Sequence, residues 1–323
     1  MSSKERIQYI HLFRGVAILF IVMSHLIWST GDHPEIKRSI RLILSNSTIF
    51  FLIISGFLFE HLSNNYKPAP YIIKKIKFIL LPYIFCSIPI IVFLLIRSPE
   101  QNLSTQALNY LFTGSHLGPF WYIPVIMAFF LISPLIIFLK QFKIFQVALI
   151  FTLLYSIISK RPESYNVIYN LTYYFVFFHL GIVMALHRNT IEKWFGQKII
   201  LAMMSVAWVI IYFSLVNNAS FAPLRTIQLI LLGFILMNIC YHINDWYLIK
   251  SLSLLAEYSF GIYFLHQYII NALAIIVSKF GINYQNLFYS IIIYPIVLLV
   301  SIFLIYTTKQ IVGQKTSRYF VGS

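Results

Sequence analysis

The feature that most constrains the fold of this chain is a series of long apolar segments separated by short polar breaks. A helix that crosses a bilayer core needs roughly 20 apolar residues, and by that measure the chain contains about ten such segments. They lie at residues 8–29, 41–62, 77–96, 119–139, 144–159, 170–187, 197–216, 222–242, 251–275 and 285–308. Charged residues make up only 10% of the chain, too few to cover a soluble domain. We therefore predict an all-α polytopic membrane protein with about ten transmembrane helices.

The polar breaks are short, so they leave no room for a separate soluble domain. The N-terminal segment, "MSSKERIQYIHLFRG", leads into an apolar run that has no small-residue cleavage site after it. We interpret that run as a retained first helix, because a removed signal peptide would carry such a site. The sequence predicts a single membrane-embedded domain over residues 1–323.

The basic residues fall unevenly on alternate breaks. If the N-terminus lies in the cytoplasm, 15 of the 24 Lys and Arg residues fall in inner segments and eight in outer segments, with Arg14 inside the first span. This bias predicts that both termini are cytoplasmic and that the number of helices is even. It also explains the net charge of +15 without a nucleic-acid partner, since the basic residues are spread along the chain.

The first span, "LFRGVAILFIVMSH" at residues 12–25, contains two charged or ionisable side chains, Arg14 and His25. Eleven residues at 100° each bring the two side chains to within about 20° of each other, roughly 16 Å apart along the helix axis. Such residues are costly in hydrocarbon. We therefore expect this face of the helix to line a cavity inside the protein.

The positions of the two side chains suggest different roles. Arg14 lies toward the cytoplasmic half, where a guanidinium can hold a phosphate or carbonyl of a donor molecule. His25 lies toward the outer half, where an imidazole can act as general base on an acceptor hydroxyl, or as a transient acyl carrier. The sequence does not distinguish between the general-base role and the acyl-carrier role of His25.

A basic cluster, Lys74, Lys75 and Lys77, precedes the third span in "YIIKKIKFILLPY". These lysines are typical of a cytoplasmic boundary, and they are also placed to meet the phosphates of a nucleotide-bearing donor. Pro82 is expected to kink the helix just above them.

Three further side chains are second-tier candidates: Ser55, Glu257 and His266. Ser55 lies beside Gly56 in the second span, where close helix packing is the simpler explanation of the motif. Glu257 and His266 are nine residues apart, so they lie on opposite faces of one helix and do not form a dyad.

Aromatic and histidine residues precede the fourth span in "GSHLGPFWYIP". We expect His116, Trp121 and Tyr122 to lie at the outer membrane interface, in an aromatic belt. His179, in the sixth span, is interpreted as structural. The sequence shows no cluster with metal-ligand spacing, so we predict neither a metal site nor a bound cofactor.

Five motifs together resemble those of the acyltransferase-3 family, membrane enzymes that acylate bacterial surface glycans. They are "LFRGVAILFIVMSH", "FFLIISGFLF", "KKIKFILLPY", "FWYIPVIMAFFLISPLI" and "SFGIYFLHQYII", in that order from residue 8 to about 270. The resemblance implies a ten-helix domain that uses an acyl-CoA donor and passes acyl groups to an acceptor at the outer face. It also implies that Arg14 and His25 match the essential arginine and histidine of the family.

Two features depart from the family pattern. The basic stretch commonly carries an R-x-x-R spacing, which Lys74 and Lys77 occupy here with lysine, a point charge without the bidentate fork of arginine. Some members also carry an extracellular esterase-like domain, which is not expected here.

We interpret the chain as an O-acyltransferase of the bacterial cytoplasmic membrane, with acyl-CoA (acetyl-CoA first) as donor substrate. The expected partners are a glycan or polysaccharide acceptor, membrane lipids and polysaccharide-synthesis machinery. The alternatives are an O-succinyltransferase and an exporter of polysaccharide or lipid-linked sugar. A charged Arg–His pair favours the enzyme, because a conduit for neutral sugars is better lined by hydroxyl, amide and aromatic groups.

Overall fold

The computed structural model describes residues 7–28, 34–97, 102–159, 162, 166–217, 223–281 and 287–322. Within these ranges the regular elements are all helical. The α-helices, numbered in chain order, are α1 Gln8–Trp28, α2 Pro34–Leu44, α3 Thr48–His61, α4 Pro68–Lys75, α5 Leu81–Arg97, α6 Leu103–Thr113, α7 Tyr122–Leu131, α8 Ser133–Leu139, α9 Lys143–Ile158, α10 Val167–Leu186, α11 Arg188–Phe195, α12 Lys198–Asn217, α13 Leu224–His242, α14 Trp246–Lys279, α15 Leu287–Val312 and α16 Gln314–Phe320.

Eight helical stretches of the described chain are long and apolar enough to cross a membrane. They are Gln8–Ile27, Glu35–His61, Pro68–Arg97, Val167–Leu186, Lys198–Asn217, Leu224–His242, Trp246–Lys279 and Leu287–Val312. The bent pair α7–α8 adds a ninth if its halves cross together, and α9 is a shorter apolar helix. The predicted segments all fall on these helices, which confirms an all-α polytopic membrane protein.

The bend of 53° between α7 and α8 has a local chemical cause. Pro134 has no N–H to donate to the carbonyl of Phe130, four residues back, so the regular helical hydrogen bond is missing there. The hydroxyl of Ser133 donates to that carbonyl instead, at 2.5 Å. The bend is therefore stabilised without an unpaired carbonyl group.

The third span begins at Pro68, earlier than residue 77 as predicted, because the helix continues through the basic stretch. A π-helical turn at Ile76–Leu80 joins α4 to α5, and the N–H of Leu81 donates to the carbonyl of Ile76, five residues back. Pro82 follows this turn and cannot donate to Phe78. This widened turn rotates the following residues relative to a regular α-helix, and the kink at Pro82 stays a prediction.

The ninth predicted span is also longer than expected, since α14 has 34 residues. Asp245 caps its start, where the carboxylate accepts from the N–H of Leu248 at 2.8 Å, and the helix contains no proline. At 1.5 Å per residue, α14 is about 51 Å long, well beyond the roughly 30 Å of a bilayer core. We expect α14 to extend past the membrane at one or both ends.

α1 runs parallel to α14 and antiparallel to α15. Arg14 meets Ser259 and His25 meets His266, so the residue numbers increase together along α1 and α14. Along α15 they decrease, since Ser290 bonds the carbonyl of Leu26 and Tyr294 bonds that of Leu19. The end of α15 therefore lies at the same end of the bundle as the start of α1.

Because α1 and α14 run parallel, the chain that connects them must cross the membrane an odd number of times. Five long spans lie between them in the described chain, so the bent pair α7–α8 and the helix α9 must either both cross or both remain on one side. The predicted ten-helix arrangement, in which both cross, satisfies this condition. That the shared end faces the cytoplasm stays a prediction.

Two close helix contacts are made possible by glycine. A Cβ atom at Gly56 of α3 would lie 1.9 Å from the carbonyl oxygen of Phe178, and one at Gly181 of α10 would lie 2.1 Å from that of Ile53. A Cβ atom at Gly15 of α1 would lie 2.3 Å from the carbonyl oxygen of Leu252 in α14. The packing explanation of the Gly56 motif is thus confirmed, and Gly15 holds α1 against α14 beside Arg14.

Candidate active site

Arg14 lies in a group of polar side chains that comes from five helices, α1, α3, α4, α7 and α14. Its Nε donates to Oγ of Ser259 at 2.7 Å, and that hydroxyl donates onward to the carbonyl of Ala256 at 2.8 Å. Ser259 is fully buried, so both of its hydrogen-bonding roles are fixed and the guanidinium is oriented by α14. We call Arg14, Ser259, Lys75, Tyr122 and Ser55 the arginine cluster.

Lys75 belongs to the arginine cluster because its charge interacts electrostatically with that of Arg14. Its ammonium group lies 4.1 Å from the ring centroid of Phe130 and 5.0 Å from that of Tyr71, contacts that stabilise a cation by the ring quadrupole. Among the described residues, no carboxylate lies within ion-pair distance of Lys75. Two like charges held together in this way favour an anionic ligand.

Tyr122 and Ser55 complete the arginine cluster. Tyr122 is almost fully buried, and its hydroxyl interacts with Ser55 and electrostatically with Arg14. Ser55, a second-tier candidate from the sequence, is therefore in the same site as Arg14. Lys74 and Lys77 are exposed, so of the three predicted donor-binding lysines it is Lys75 that lies partly buried and interacts electrostatically with Arg14.

The second part of the site lies farther along α1. The imidazole rings of His25 and His266 have centroids 5.2 Å apart, with 50° between their planes. His25 is half-buried and His266 is fully buried. We call these two residues the histidine pair; it combines a predicted catalytic residue with a second-tier candidate.

Hydrogen bonding defines the tautomer of His266. Its Nδ1 lies 3.0 Å from the carbonyl oxygen of Ile262. A carbonyl oxygen can only accept, so Nδ1 carries the hydrogen and, in the neutral ring, Nε2 is an acceptor. Within the described part of the chain, Nε2 of His266 has no hydrogen-bond partner.

A loop over residues 114–121 packs against α14 beside the histidine pair. The hydroxyl of Tyr263 donates to the carbonyl of Pro119, and the ring of Tyr263 lies 6.1 Å from that of His266. Phe120 is fully buried and makes an edge contact with Phe264 at 5.8 Å. The loop therefore forms one wall of the space around the histidine pair.

The expected aromatic belt at this loop is wrong. His116 is 5% exposed and Tyr122 2% exposed, while Trp121 stacks on Tyr174 with centroids 4.6 Å apart. The motif predicts an interface only if the helix starts at the membrane surface. The chain instead enters the bundle before α7 begins, so His116 and Tyr122 are covered by protein and Trp121 is partly buried.

His116 has a structural role in this loop. Its Nδ1 lies 2.9 Å from the carbonyl of Tyr110 and its Nε2 lies 2.8 Å from Oγ of Ser87. Burial lowers the pKa of His116 to about 4, so the ring is neutral at pH 7. It then donates to Tyr110 through Nδ1, while Nε2 lies beside Ser87, whose hydroxyl also bonds the carbonyl of Tyr83 at 2.7 Å. His116 therefore joins α5, α6 and the loop.

Glu257 does not join either group. It is exposed on α14 and interacts electrostatically with Lys309 of α15, on the face opposite His266, as the nine-residue spacing predicts. His179 is buried between the rings of Phe145, at 4.3 Å, and Phe175, at 5.4 Å. Its surroundings agree with the structural interpretation.

Ser259, Tyr122 and Tyr263 are the members of the site that sequence reasoning did not select. Its spacing could have identified Ser259. Ser259 precedes His266 by seven residues, a rotation of about 700°, which differs by about 20° from two full turns. The two side chains therefore lie on one face of α14. Tyr122 was assigned to the membrane interface, and Tyr263 carries no signal that separates it from other aromatic residues.

The arrangement suits a transfer reaction between two molecules. The arginine cluster offers two cations and several hydroxyl groups for an anionic or carbonyl-bearing molecule. The histidine pair offers an imidazole that can take and return a proton. Both lie on the face of α1 that contacts α14, about 16 Å apart along the axis.

Comparison with known proteins identifies the family. The model described as an acyltransferase domain, of acyltransferase family 3, matches residues 7–306. Three relatives from Staphylococcus aureus, strains MSSA476, MW2 and N315, are each 25% identical to the chain over 308 residues, which covers 84% of this chain and 84% of the relative. Each of them is named a probable poly-beta-1,6-N-acetyl-D-glucosamine export protein.

No solved structure matches the chain significantly. The family match extends from the start of α1 into α15, and it contains both the arginine cluster and the histidine pair. The chain belongs to the acyltransferase-3 family of multi-pass membrane proteins.

Proposed function

We propose that the chain is an O-acyltransferase of the bacterial cell membrane. It moves an acyl group, acetyl in the first instance, from a cytoplasmic acyl-CoA to a hydroxyl of a cell-envelope or exopolysaccharide sugar. The observation that carries this proposal is the placement of the arginine cluster and the histidine pair on one protein-facing side of α1. A donor held at one end and an acceptor at the other can then meet inside the bundle.

The chemical step assigned to His25 is general base catalysis. His25 takes the proton of the acceptor hydroxyl, and the oxygen forms a bond to the carbonyl carbon of the thioester. The carbon–sulfur bond breaks, and the CoA thiolate takes the proton from His25. If His25 instead carries the acyl group itself, the same atoms balance over two steps and the kinetics become ping-pong.

In this proposal the arginine cluster binds the acyl-CoA donor. Arg14 and Lys75 face an anionic or carbonyl group of acyl-CoA, and the hydroxyl groups of Tyr122 and Ser55 lie in the same cluster. The guanidinium, held by Ser259, presents a planar donor group to such a ligand. A succinyl donor would place one more carboxylate near these cations, so O-succinyl transfer is a variant of the same proposal.

Export of a polysaccharide is the second candidate, because the relatives are named as probable export proteins. That name also supplies a first acceptor to examine, a polymer of β-1,6-linked N-acetylglucosamine. The two functions differ in what a variant of His25 would do. An acyltransferase loses ester groups on the polysaccharide, whereas an exporter loses polysaccharide outside the cell.

The experiment measures ester-linked acyl groups and total polysaccharide separately. Cells that carry the native chain, His25→Ala or the control His179→Ala are treated with mild alkali, and the released acid is identified. We expect acetate from native and control cells, none from His25→Ala cells, and equal polysaccharide outside all three. Equal ester in every strain, with polysaccharide retained inside His25→Ala cells, would replace the proposal by export.

A further inference from the structure

We propose that His266 is a positioning residue, whose Nε2 accepts a hydrogen bond from the imidazole of His25 and so orients the catalytic base. The inference rests on the proposed acyltransferase function and deepens it. It assigns to a neutral histidine of α14 the orienting role that a carboxylate has in many hydrolase sites. His25 remains the group that exchanges a proton with substrate.

The first support is the fixed tautomer of His266. The carbonyl of Ile262, one turn earlier in α14, accepts from Nδ1 at 3.0 Å, and this bond holds the ring plane and leaves the lone pair on Nε2. Main-chain carbonyl groups orient histidines in this way in many functional sites, because the bond selects which nitrogen is free to act. His266 is thus a preset acceptor.

The second support is the cost of leaving that acceptor without a partner. Nε2 of His266 is buried, and no described residue donates to it. An unsatisfied buried polar group destabilises the folded state, so its retention calls for a donor in the working state of the protein. His25, whose ring centroid lies 5.2 Å away, carries a ring N–H close to that acceptor.

The third support is the rigid frame around the two rings. Gly15 lets α1 approach α14 at Leu252. Ser259, which lies two turns before His266 on the same face of α14, holds the side chain of Arg14. Tyr263, next to Ile262 in the chain, is tied to Pro119. These contacts leave the two helices little freedom to slide, as a positioning contact requires.

The hydrogen bond has a definite consequence for the reaction. When the N–H of neutral His25 points at Nε2 of His266, the other nitrogen of His25 carries the lone pair, which takes the proton of the acceptor hydroxyl in this scheme. After proton transfer, the imidazolium keeps the bond to His266, which stabilises the charge as it forms. His266 gains and loses no proton in this scheme.

Asparagine and glutamine separate this role from a structural one. Asn at position 266 places its amide near Nδ1, so it can keep the bond to Ile262 but lacks an acceptor at Nε2. Gln reaches the position of Nε2 with an acceptor oxygen but gives up the Ile262 bond. A positioning role predicts that His266→Gln works better than His266→Asn, and a purely structural role predicts the reverse.

The test uses the full-length protein in membrane vesicles, with acetyl-CoA as donor probe and an oligosaccharide of β-1,6-linked N-acetylglucosamine as acceptor probe. We expect His266→Asn to lower kcat about 100-fold, as loss of support for a general base does, while KM for both probes changes less than about twofold. His266→Gln should keep kcat within about tenfold of the native value. His179→Asn, which alters a buried histidine outside the site, should change neither constant.

Each result is decisive once thermal unfolding in detergent shows that the variant folds. Native kcat in His266→Asn, or equal losses in the Asn and Gln variants, would overturn the inference. If His266→Gln does not fold, His266→Asn decides alone. A native chain that transfers no acyl group would overturn the proposed function and the inference with it, whereas an active native chain with an active Asn variant would overturn the inference only.

Discussion

The imidazole rings of His25 and His266 lie with their centroids 5.2 Å apart, on two helices that run parallel through the bundle. The same two helices join Arg14 to Ser259. One helix–helix interface therefore holds both parts of the site in a fixed relation. This interface, between α1 and α14, is where substitutions should affect activity most strongly.

Replacement of Arg14 by lysine should reduce activity although the charge is kept. Lysine has neither Nε nor a planar fork, so it cannot both bond Ser259 and face the donor. We expect kcat/KM for acetyl-CoA to fall at least about tenfold, corresponding to one charge-assisted hydrogen bond. Ser259→Ala, which removes the orienting hydroxyl, should give a smaller loss, and native kinetics in Arg14→Lys would contradict this role.

The three lysines of the basic cluster should not be equivalent. Lys75→Met should raise KM for acetyl-CoA about tenfold, since it removes the cation beside Arg14. Lys74→Met and Lys77→Met remove exposed charges and should change KM less than about twofold. Titration of initial rates against acetyl-CoA measures all three, and equal effects would show that the cluster acts only through its total charge.

Gly15→Ala should disturb both parts of the site together. The added methyl group would lie 2.3 Å from the carbonyl of Leu252, so α1 must move away from α14. We expect a loss of about 1–3 kcal/mol in stability, typical of overpacking, with lower activity. Gly196→Ala is the matched control: Gly196 follows α11 with its backbone in the αR region, the nearest atom would lie 3.4 Å away, and the variant should melt like the native protein.

Stability should fall as the pH is lowered below about 6.5, the ordinary pKa of histidine. The folded protein holds the pKa of His116 at about 4, so between these values the unfolded chain binds a proton that the native state does not. Linkage then favours unfolding progressively down to about pH 4, where the native ring also becomes charged. Melting temperatures of native protein and His116→Gln, measured across this range, should converge as the pH falls, and parallel curves would contradict the assignment.

The sequence predicted those features of the site that depend on one helix. Arg14 and His25 share a face because of their spacing alone, and Glu257 and His266 diverge for the same reason. The partner of His25 depends on how α1 and α14 pack, which no local pattern encodes. Likewise, the position of Lys75 depends on how α4 packs against α7, where its ammonium lies over the ring of Phe130, and the buried place of Tyr122 depends on a loop that enters the bundle.

The most direct test of the account is transfer of labelled acetyl from acetyl-CoA in inside-out membrane vesicles. The donor then reaches the face that is cytoplasmic in cells, and the acceptor probe is enclosed. The account predicts alkali-labile label on the enclosed oligosaccharide with the native chain and with His179→Ala, and none with His25→Ala. Label that is absent with the native chain, or equal with and without His25, would contradict it.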